Sequence, residues 1–306
     1  MILGKTGPRV ALATTLVAGA LVTGACGVPH VAAGEIAVVG AETQYADVLG
    51  QIGGRYVSVS AVVNNPATDP HNFEASTAVA REIAQAQLIV QNGDGYDAFM
   101  NQIEAATSKP SRDVLSVAVL EHETGAANPH LWYMPSTMET LARAVARRLE
   151  TLAPRHATYF AGREAAFLSS WRRVEEALAS TRARVKGLPV ASTEPVGDYL
   201  FEAMGLVNAT PWRFQADVMN GVDPSPEDIA TQEGLVLGHR VRALIYNSQV
   251  GTSVTEGLRR LARDHDVATI PIAEIMSPRE HVQTWFLDEI ATITAGLLHV
   301  VTSGGS

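Results

Sequence analysis

Short apolar runs alternate along most of the chain with segments whose apolar residues repeat at helical spacing. The runs cover residues 35–39, 57–63, 88–91, 114–117, 189–191, 243–246 and 267–272. Most are apolar throughout rather than alternating, which is typical of strands covered by helices on both faces. This succession of strands and helices predicts an α/β protein with mainly parallel sheets.

One long helical segment interrupts the alternation. Between residues 157 and 185 a single apolar stripe recurs at helical spacing, formed by Phe160, Phe167, Trp171, Val174, Leu178 and Val185. A helix of this length runs about 40 Å. Because strand–helix units precede and follow it, we predict two α/β lobes, residues 35–155 and 187–306, joined by one long rigid α-helix within residues 156–186.

Helix-start signals support several of these boundaries. Ser225, followed by proline and two acids, is a favourable N-cap. Two further segments, Ser136-x-x-Glu139 and Ser253-x-x-Glu256, have the spacing of a capping box. We therefore expect helices to begin after Ser136, Ser225 and Ser253.

The first 25 residues have the pattern of a signal peptide. Lys5 and Arg9 precede an apolar stretch over residues 10–22, and the segment ends in small residues before Cys26. Cys26 is the only cysteine and stands at the expected cleavage point, which indicates a lipidated N-terminus followed by a tether over residues 26–34. A plain signal peptide with an incidental cysteine is the alternative.

Composition narrows the class of protein. With 306 residues, 46% of them hydrophobic and 18% charged, the chain is that of a folded globular protein. A net charge of −9 argues against nucleic-acid binding, which needs a basic surface. One cysteine excludes a disulfide framework and a multi-thiolate metal site within the chain. No apolar run of about 18 residues follows the first 25, so no membrane span is expected there.

Two histidines occur in matching contexts, Asp69-Pro70-His71 and Asn128-Pro129-His130. Proline stiffens the preceding backbone, so both imidazoles are displayed from extended segments. A neutral imidazole is the commonest transition-metal ligand. Composition and spacing leave two interpretations open, a pair of metal ligands or two ordinary loop residues.

Two carboxylates follow predicted strands. Glu194 comes after the run at 189–191, and Glu274 directly follows the apolar residues 267–273. Ligands of open α/β sheets bind outside the carboxyl ends of the strands, where these acids lie. The alternative is that each acid belongs to the first turn of a helix.

Together these segments resemble the substrate-binding lipoproteins of zinc and manganese ABC transporters. The resemblance covers nearly all of the chain after the tether, and its most specific segments are Asp69-Pro70-His71-Asn72-Phe73-Glu74, Asn128-Pro129-His130-Leu131-Trp132 and Thr193-Glu194-Pro195. The family implies two lobes bridged by a long helix, with a metal ion in the cleft between them. By position, His71, His130, Glu194 and Glu274 fall on its four metal ligands.

The resemblance implies a lipid-anchored protein on the outer face of the cytoplasmic membrane. It would capture Zn²⁺ or Mn²⁺ and deliver it to an ABC permease and its ATPase, as a monomer and without catalysis. Two departures leave the metal open: the chain lacks the His-rich loop of many zinc-uptake members, and Asn247-Ser248-Gln249 offers no carboxylate or imidazole. The alternative functions are a secreted metallohydrolase and a metal-containing surface adhesin.

Overall fold

The computed structural model describes residues 1, 2, 4, 34–66, 73, 75–107 and 109–303, the last five by their backbone alone. Cys26 and almost all of the predicted signal peptide and tether lie outside the described residues. So does His71. The predictions made for them stay predictions.

The first lobe is built on a parallel sheet. Its strands are β1 (Ile36–Glu42), β2 (Val57–Val63), β3 (Leu88–Gln91) and β4 (Asp113–Ser116), in the order β2-β1-β3-β4. The helices are α1 (Thr43–Gly53), α2 (Thr77–Gln85), α3 (Ala98–Ala106), α4 (Val117–Leu120) and α5 (Thr137–Leu152). Helices connecting successive parallel strands cover the sheet, which explains why the strands are apolar on both faces.

The second lobe repeats this plan. Its strands are β5 (Pro189–Ser192), β6 (Val207–Asn208), β7 (Ala243–Asn247) and β8 (Ala268–Ile272), all parallel and in the order β6-β5-β7-β8. The helices are α7 (Asp198–Met204), α8 (Trp212–Met219), α9 (Pro226–Leu237), α10 (Ser253–Asp264) and α11 (Val282–Ser303).

A 29-residue helix, α6 (Ala157–Val185), connects the lobes. All six residues of the predicted apolar stripe are buried. One continuous apolar cluster contains residues of both lobes, of α6 and of α11, and the Trp171 and Phe286 rings meet at 5.0 Å between centroids. The shared core therefore fixes α6 to both lobes rather than leaving it as an exposed linker.

The fold confirms the predicted class, and local details differ in four places. β1 extends to Glu42, beyond the predicted end at residue 39, and the two-residue strand β6 was not predicted. Ser225 caps α9 as expected, accepting a hydrogen bond from the Asp228 N–H. The capping box at Ser136 was wrong, because its hydroxyl instead donates to Glu121 Oε2.

The box at Ser253 was wrong by one residue. Thr252 is the N-cap of α10, and its side chain accepts from the Thr255 N–H while the Thr255 hydroxyl accepts from the Thr252 N–H. Thr252 has the extended backbone that an N-cap needs, with φ −115° and ψ 168°.

The carboxyl ends of the two sheets face the same interface between the lobes. Thr43, directly after β1, donates to the Met276 carbonyl just beyond β8 at 2.5 Å. The Tyr133 hydroxyl donates to the Ala273 carbonyl at 2.7 Å. Within the part of the chain that the structure describes, no helix is both long enough and apolar enough to cross a bilayer.

Candidate metal site

His130 lies in the loop before a short 3₁₀ helix, Leu131–Tyr133, and its side chain is fully buried. Asn128 holds it. The Asn128 Oδ1 accepts from the His130 backbone N–H at 3.0 Å and lies 2.7 Å from His130 Nδ1. The proline between them gives the tight turn that brings the asparagine amide back onto the ring.

The hydrogen bonds of Asn128 determine which imidazole nitrogen carries the proton. The Asn128 Nδ2 donates to the Pro195 carbonyl at 2.9 Å, and that oxygen can only accept. The backbone N–H of His130 can only donate, so the orientation of the Asn128 side-chain amide is fixed at both ends. Asn128 Oδ1 must then accept from Nδ1–H. In its neutral form His130 therefore presents the Nε2 lone pair, the form that binds a metal.

Glu274 follows β8 and is fully buried. The Tyr96 hydroxyl donates to its Oε1 at 2.7 Å, and Asn247 Nδ2 donates to its Oε2 at 2.6 Å. Gln249 Oε1 accepts from the backbone N–H groups of Glu274 and Ile275, each at 2.7 Å. The segment after β8 is not helical, so the interpretation of Glu274 as a first-turn helix acid was wrong.

His130 and Glu274 meet across the interface. The His130 Nε2 lies 3.6 Å from Glu274 Oε1, and neither side chain is exposed. Aromatic rings surround the imidazole, with the centroids of Tyr96 and Trp132 at 5.8 and 5.2 Å. A lone pair on nitrogen facing a carboxylate oxygen in a buried setting is an arrangement that a cation stabilises. The residues present therefore fit a bound divalent metal ion.

Glu194 lies on the second-lobe side of this interface. It follows β5, is 3% exposed and precedes Pro195, whose carbonyl accepts from Asn128. A buried polar network fixes the end of β5 behind it, where Gln215 Nε2 donates to Ser192 Oγ at 2.9 Å and to Asp198 Oδ2 at 3.0 Å. Burial raises the pKa of Asp198, and the hydrogen bonds from Gln215 and Asn208 oppose that rise.

Glu42, the last residue of β1, is a further acid at this interface. It is fully buried, and neither of its carboxyl oxygens is hydrogen-bonded to another of the described residues. Burial raises the pKa of Glu42 well above its ordinary value, the charges of Asp97 and Glu274 raise it further, and a hydrogen bond from its own backbone N–H opposes the rise.

The structure thus brings His130 and Glu274 into contact, buries Glu194 at the same interface, and does not describe His71. Among the described residues no three His, Cys, Asp or Glu side chains form a group arranged to hold a metal. Sequence reasoning missed Tyr96 and Glu42, and it dismissed Asn247. A signal existed for Glu42 and Asn247, since each stands at the carboxyl end of a strand.

Comparison with known proteins gives a consistent result. The family described as zinc-uptake complex component A, periplasmic, matches residues 38–296. A protein of Chlamydia trachomatis serovar D, described as a metal-binding protein, is 22% identical over 232 residues, covering 73% of this chain and 80% of its own length.

Solved structures share the fold over most of the chain. One is that of ZnuA, with TM-score 0.69, 16% identity, and 87% of this chain and 98% of that chain covered. Another is the solute-binding protein FpvC of Pseudomonas aeruginosa in complex with Mn²⁺, with TM-score 0.71, 18% identity, and 89% of this chain and 100% of that chain covered. A Cd-bound periplasmic metal-binding protein of Candidatus Liberibacter asiaticus has TM-score 0.68 at 14% identity, with 86% of this chain and 100% of that chain covered.

Proposed function

Because this chain belongs to the family of the periplasmic component A of zinc-uptake complexes, we propose that it is the extracytoplasmic binding component of an ABC transporter. It captures Zn²⁺ or Mn²⁺ and delivers the ion to a membrane permease driven by an ATPase. The chain acts by binding and release and catalyses no reaction.

The observation that carries this proposal is the pair formed by His130 and Glu274. The two side chains come from different lobes, are fully buried, and lie 3.6 Å apart between Nε2 and Oε1. An ion bound between them links the lobes directly. Its release then requires the lobes to separate locally, which suits a protein that must hand its cargo to a partner.

We propose that His71, His130, Glu194 and Glu274 bind the ion. Two imidazoles and two carboxylates suit Zn²⁺ or Mn²⁺ and are a poor set for Cu(I), which prefers sulfur. With a divalent cation these four ligands give a net charge near zero, which lowers the free energy of burying the ion. Zn²⁺ is expected to bind more tightly than Mn²⁺ at any such site, so relative affinity does not identify the physiological cargo.

The proposed location is the outer face of the cytoplasmic membrane, with the chain anchored through lipidated Cys26 and residues 26–34 as the tether. The pattern of Lys5, Arg9 and the apolar stretch before Cys26 supports export. Acyl chains stabilise membrane attachment by about 0.8 kcal/mol for each buried methylene. The binding protein works as a monomer.

Metal titration tests the proposal. Metal is stripped with chelator, and Zn²⁺ and Mn²⁺ are titrated into the wild type and into a His71→Ala/His130→Ala variant. We expect one ion per chain in the wild type and loss of tight binding in the variant. His239→Asn/His265→Asn removes two exposed histidines as a control and should bind as the wild type does.

Tight one-to-one binding retained by the site variant would contradict the assignment. Turnover of esters or peptides that chelator abolishes would instead favour the metallohydrolase. Elemental analysis of protein purified from its native host without added metal identifies the ion that the site holds in the cell.

A further inference from the structure

The segment that follows β7 lies directly beside Glu274. β7 and β8 run parallel, with Asn247 opposite Ile272 at their carboxyl ends. The Ser248 backbone N–H donates to the Ile272 carbonyl at 2.9 Å and continues the pairing by one residue. Glu274 comes two residues after Ile272, so residues 247–249 reach both its backbone and its side chain.

Asn247 binds the carboxylate of Glu274 through an amide whose orientation is determined. Its Oδ1 accepts from the Gln249 backbone N–H at 2.9 Å, a group that can only donate. Its Nδ2 therefore points the other way and donates to Glu274 Oε2 at 2.6 Å. Both side chains are buried, which shields this bond from bulk water. The oxygen that faces His130 Nε2, at 3.6 Å, is the other one, Oε1.

Gln249 holds the backbone that carries Glu274. Its Oε1 accepts from the backbone N–H groups of Glu274 and Ile275, each at 2.7 Å, and its Nε2 donates to the Ile275 carbonyl at 2.8 Å. Residues 274–275 are neither strand nor helix, so a side chain supplies the hydrogen bonds that a ladder or a helix supplies elsewhere. Three bonds from one glutamine therefore fix the position of this short segment.

The two amide residues belong to the same lobe as Glu274 and are anchored within it. The Asn247 backbone N–H donates to Thr193 Oγ1 at 3.2 Å, and the Thr193 N–H donates to the Ile245 carbonyl at 3.0 Å. The hydroxyl of Tyr96, by contrast, reaches Glu274 from the first lobe. The second lobe thus orients Glu274 through bonds that do not cross the interface.

We propose that Asn247 and Gln249 are positioning residues for metal binding, which hold Glu274 so that its Oε1 meets the ion on the side of His130. This inference rests on the proposed function. Both amides act through Glu274, and neither binds the ion. A ligand that is ordered in advance loses less conformational entropy on coordination, and hydrogen-bond partners of metal ligands change metal affinity by about 10- to 100-fold.

Replacing each amide by an apolar side chain of similar size tests the inference. We expect Asn247→Leu and Gln249→Met each to lower Zn²⁺ affinity by about tenfold or more, measured by competition with a chelator of known affinity. Gln249→Glu keeps an oxygen that accepts from the two backbone N–H groups and loses only the donor to the Ile275 carbonyl, so its affinity should lie between those of Gln249→Met and the wild type.

Gln87→Met is the matched control. Gln87 is also partly buried and its Oε1 also accepts from a backbone N–H, that of Ala37 at 3.3 Å, but at the amino end of the first sheet. This variant should bind Zn²⁺ as the wild type does. Metal-free melting temperatures show that each variant is folded at the temperature of the titration.

A double-mutant cycle with Glu274→Ala separates positioning from a structural role. If Asn247 acts through Glu274, Asn247→Leu should weaken Zn²⁺ binding by about tenfold in the wild type and by less than about twofold in the Glu274→Ala background. The same cycle with Gln249→Met gives an independent measurement. Equal losses in both backgrounds would show a role independent of Glu274 and would overturn the inference.

The outcomes distinguish the two proposals. A wild type that binds no ion contradicts the proposed function. A wild type that binds one ion per chain, with Asn247→Leu and Gln249→Met binding it equally well, overturns the positioning role and leaves the proposed function intact. Losses that disappear when Glu274 is absent support the role of both amides.

Discussion

Replacing Asn128 by alanine tests how the site is organised without touching a predicted ligand. Alanine removes the acceptor for His130 Nδ1 at 2.7 Å, the acceptor for the His130 N–H at 3.0 Å, and the donor to the Pro195 carbonyl at 2.9 Å. The imidazole then loses the bond that fixes its tautomer and its orientation.

The expected magnitude follows from these bonds. A group that orients a metal-binding histidine typically changes metal affinity by about 10- to 100-fold. This range corresponds to about 1.4–2.8 kcal/mol. The metal-free protein should also lose about 2–3 kcal/mol of stability, because a buried imidazole N–H and the Pro195 carbonyl are left without partners.

Asn128→Asp separates the two roles of the side chain. A carboxylate still accepts from the backbone N–H and from the Nδ1–H of His130, but it cannot donate to the Pro195 carbonyl across the interface. We therefore expect metal affinity to fall in the order wild type, Asn128→Asp, Asn128→Ala, measured by competition with a chelator of known affinity. Asn101→Ala is the control. The Asn101 side chain lies on α3 and accepts from Gln91 Nε2 at 3.3 Å, so its loss should leave metal affinity unchanged.

Wild-type affinity in Asn128→Ala would refute the argument from the tautomer. Equal losses in the alanine and aspartate variants would show that the bond to Pro195 dominates and that the orientation of His130 does not limit binding.

Three further predictions concern separate parts of the structure. Tyr96→Phe removes the donor to Glu274 and should destabilise the metal-free protein by about 1.5–3 kcal/mol, the range for hydrogen bonds to charged groups, in denaturant unfolding. Ser225→Ala removes the cap of α9 and should lower stability by about 1 kcal/mol while metal affinity stays constant in titration. Burial raises the pKa of Glu289 to about 7, so the folded state holds its proton more tightly than the unfolded chain does, and its ionisation lowers wild-type stability as pH rises from about 4.5 to about 7. Glu289→Gln should remove that decline, up to about 3 kcal/mol by pH 8, and match the wild type at pH 4 in metal-free unfolding experiments.

The fold could be predicted because its signals are local and repeated. The apolar stripe from Phe160 to Val185 predicted α6, because a helix with one buried face has apolar residues at regular helical spacing in its sequence. The buried parallel strands left apolar runs of the expected length. The capping boxes failed because several hydroxyl residues stand near each helix start. At α10, the backbone conformation of Thr252 decided which one caps.

The site could be predicted only in part. His130 and Glu274 carry recognisable chemistry, and the structure brings them together. Tyr96 looked ordinary in the sequence, because its importance comes from donating to Glu274 across a long separation along the chain. This contact depends on the topology that joins the two sheets, and no local pattern encodes it.

The most direct test of the central claim is a crystal structure of the Zn²⁺-loaded protein with anomalous diffraction data collected on both sides of the zinc absorption edge. We expect one anomalous peak between the lobes, about 2.0–2.2 Å from His130 Nε2 and from a carboxyl oxygen of Glu274. A single strong peak elsewhere on the protein, with His130 and Glu274 bound to no ion, would contradict the account.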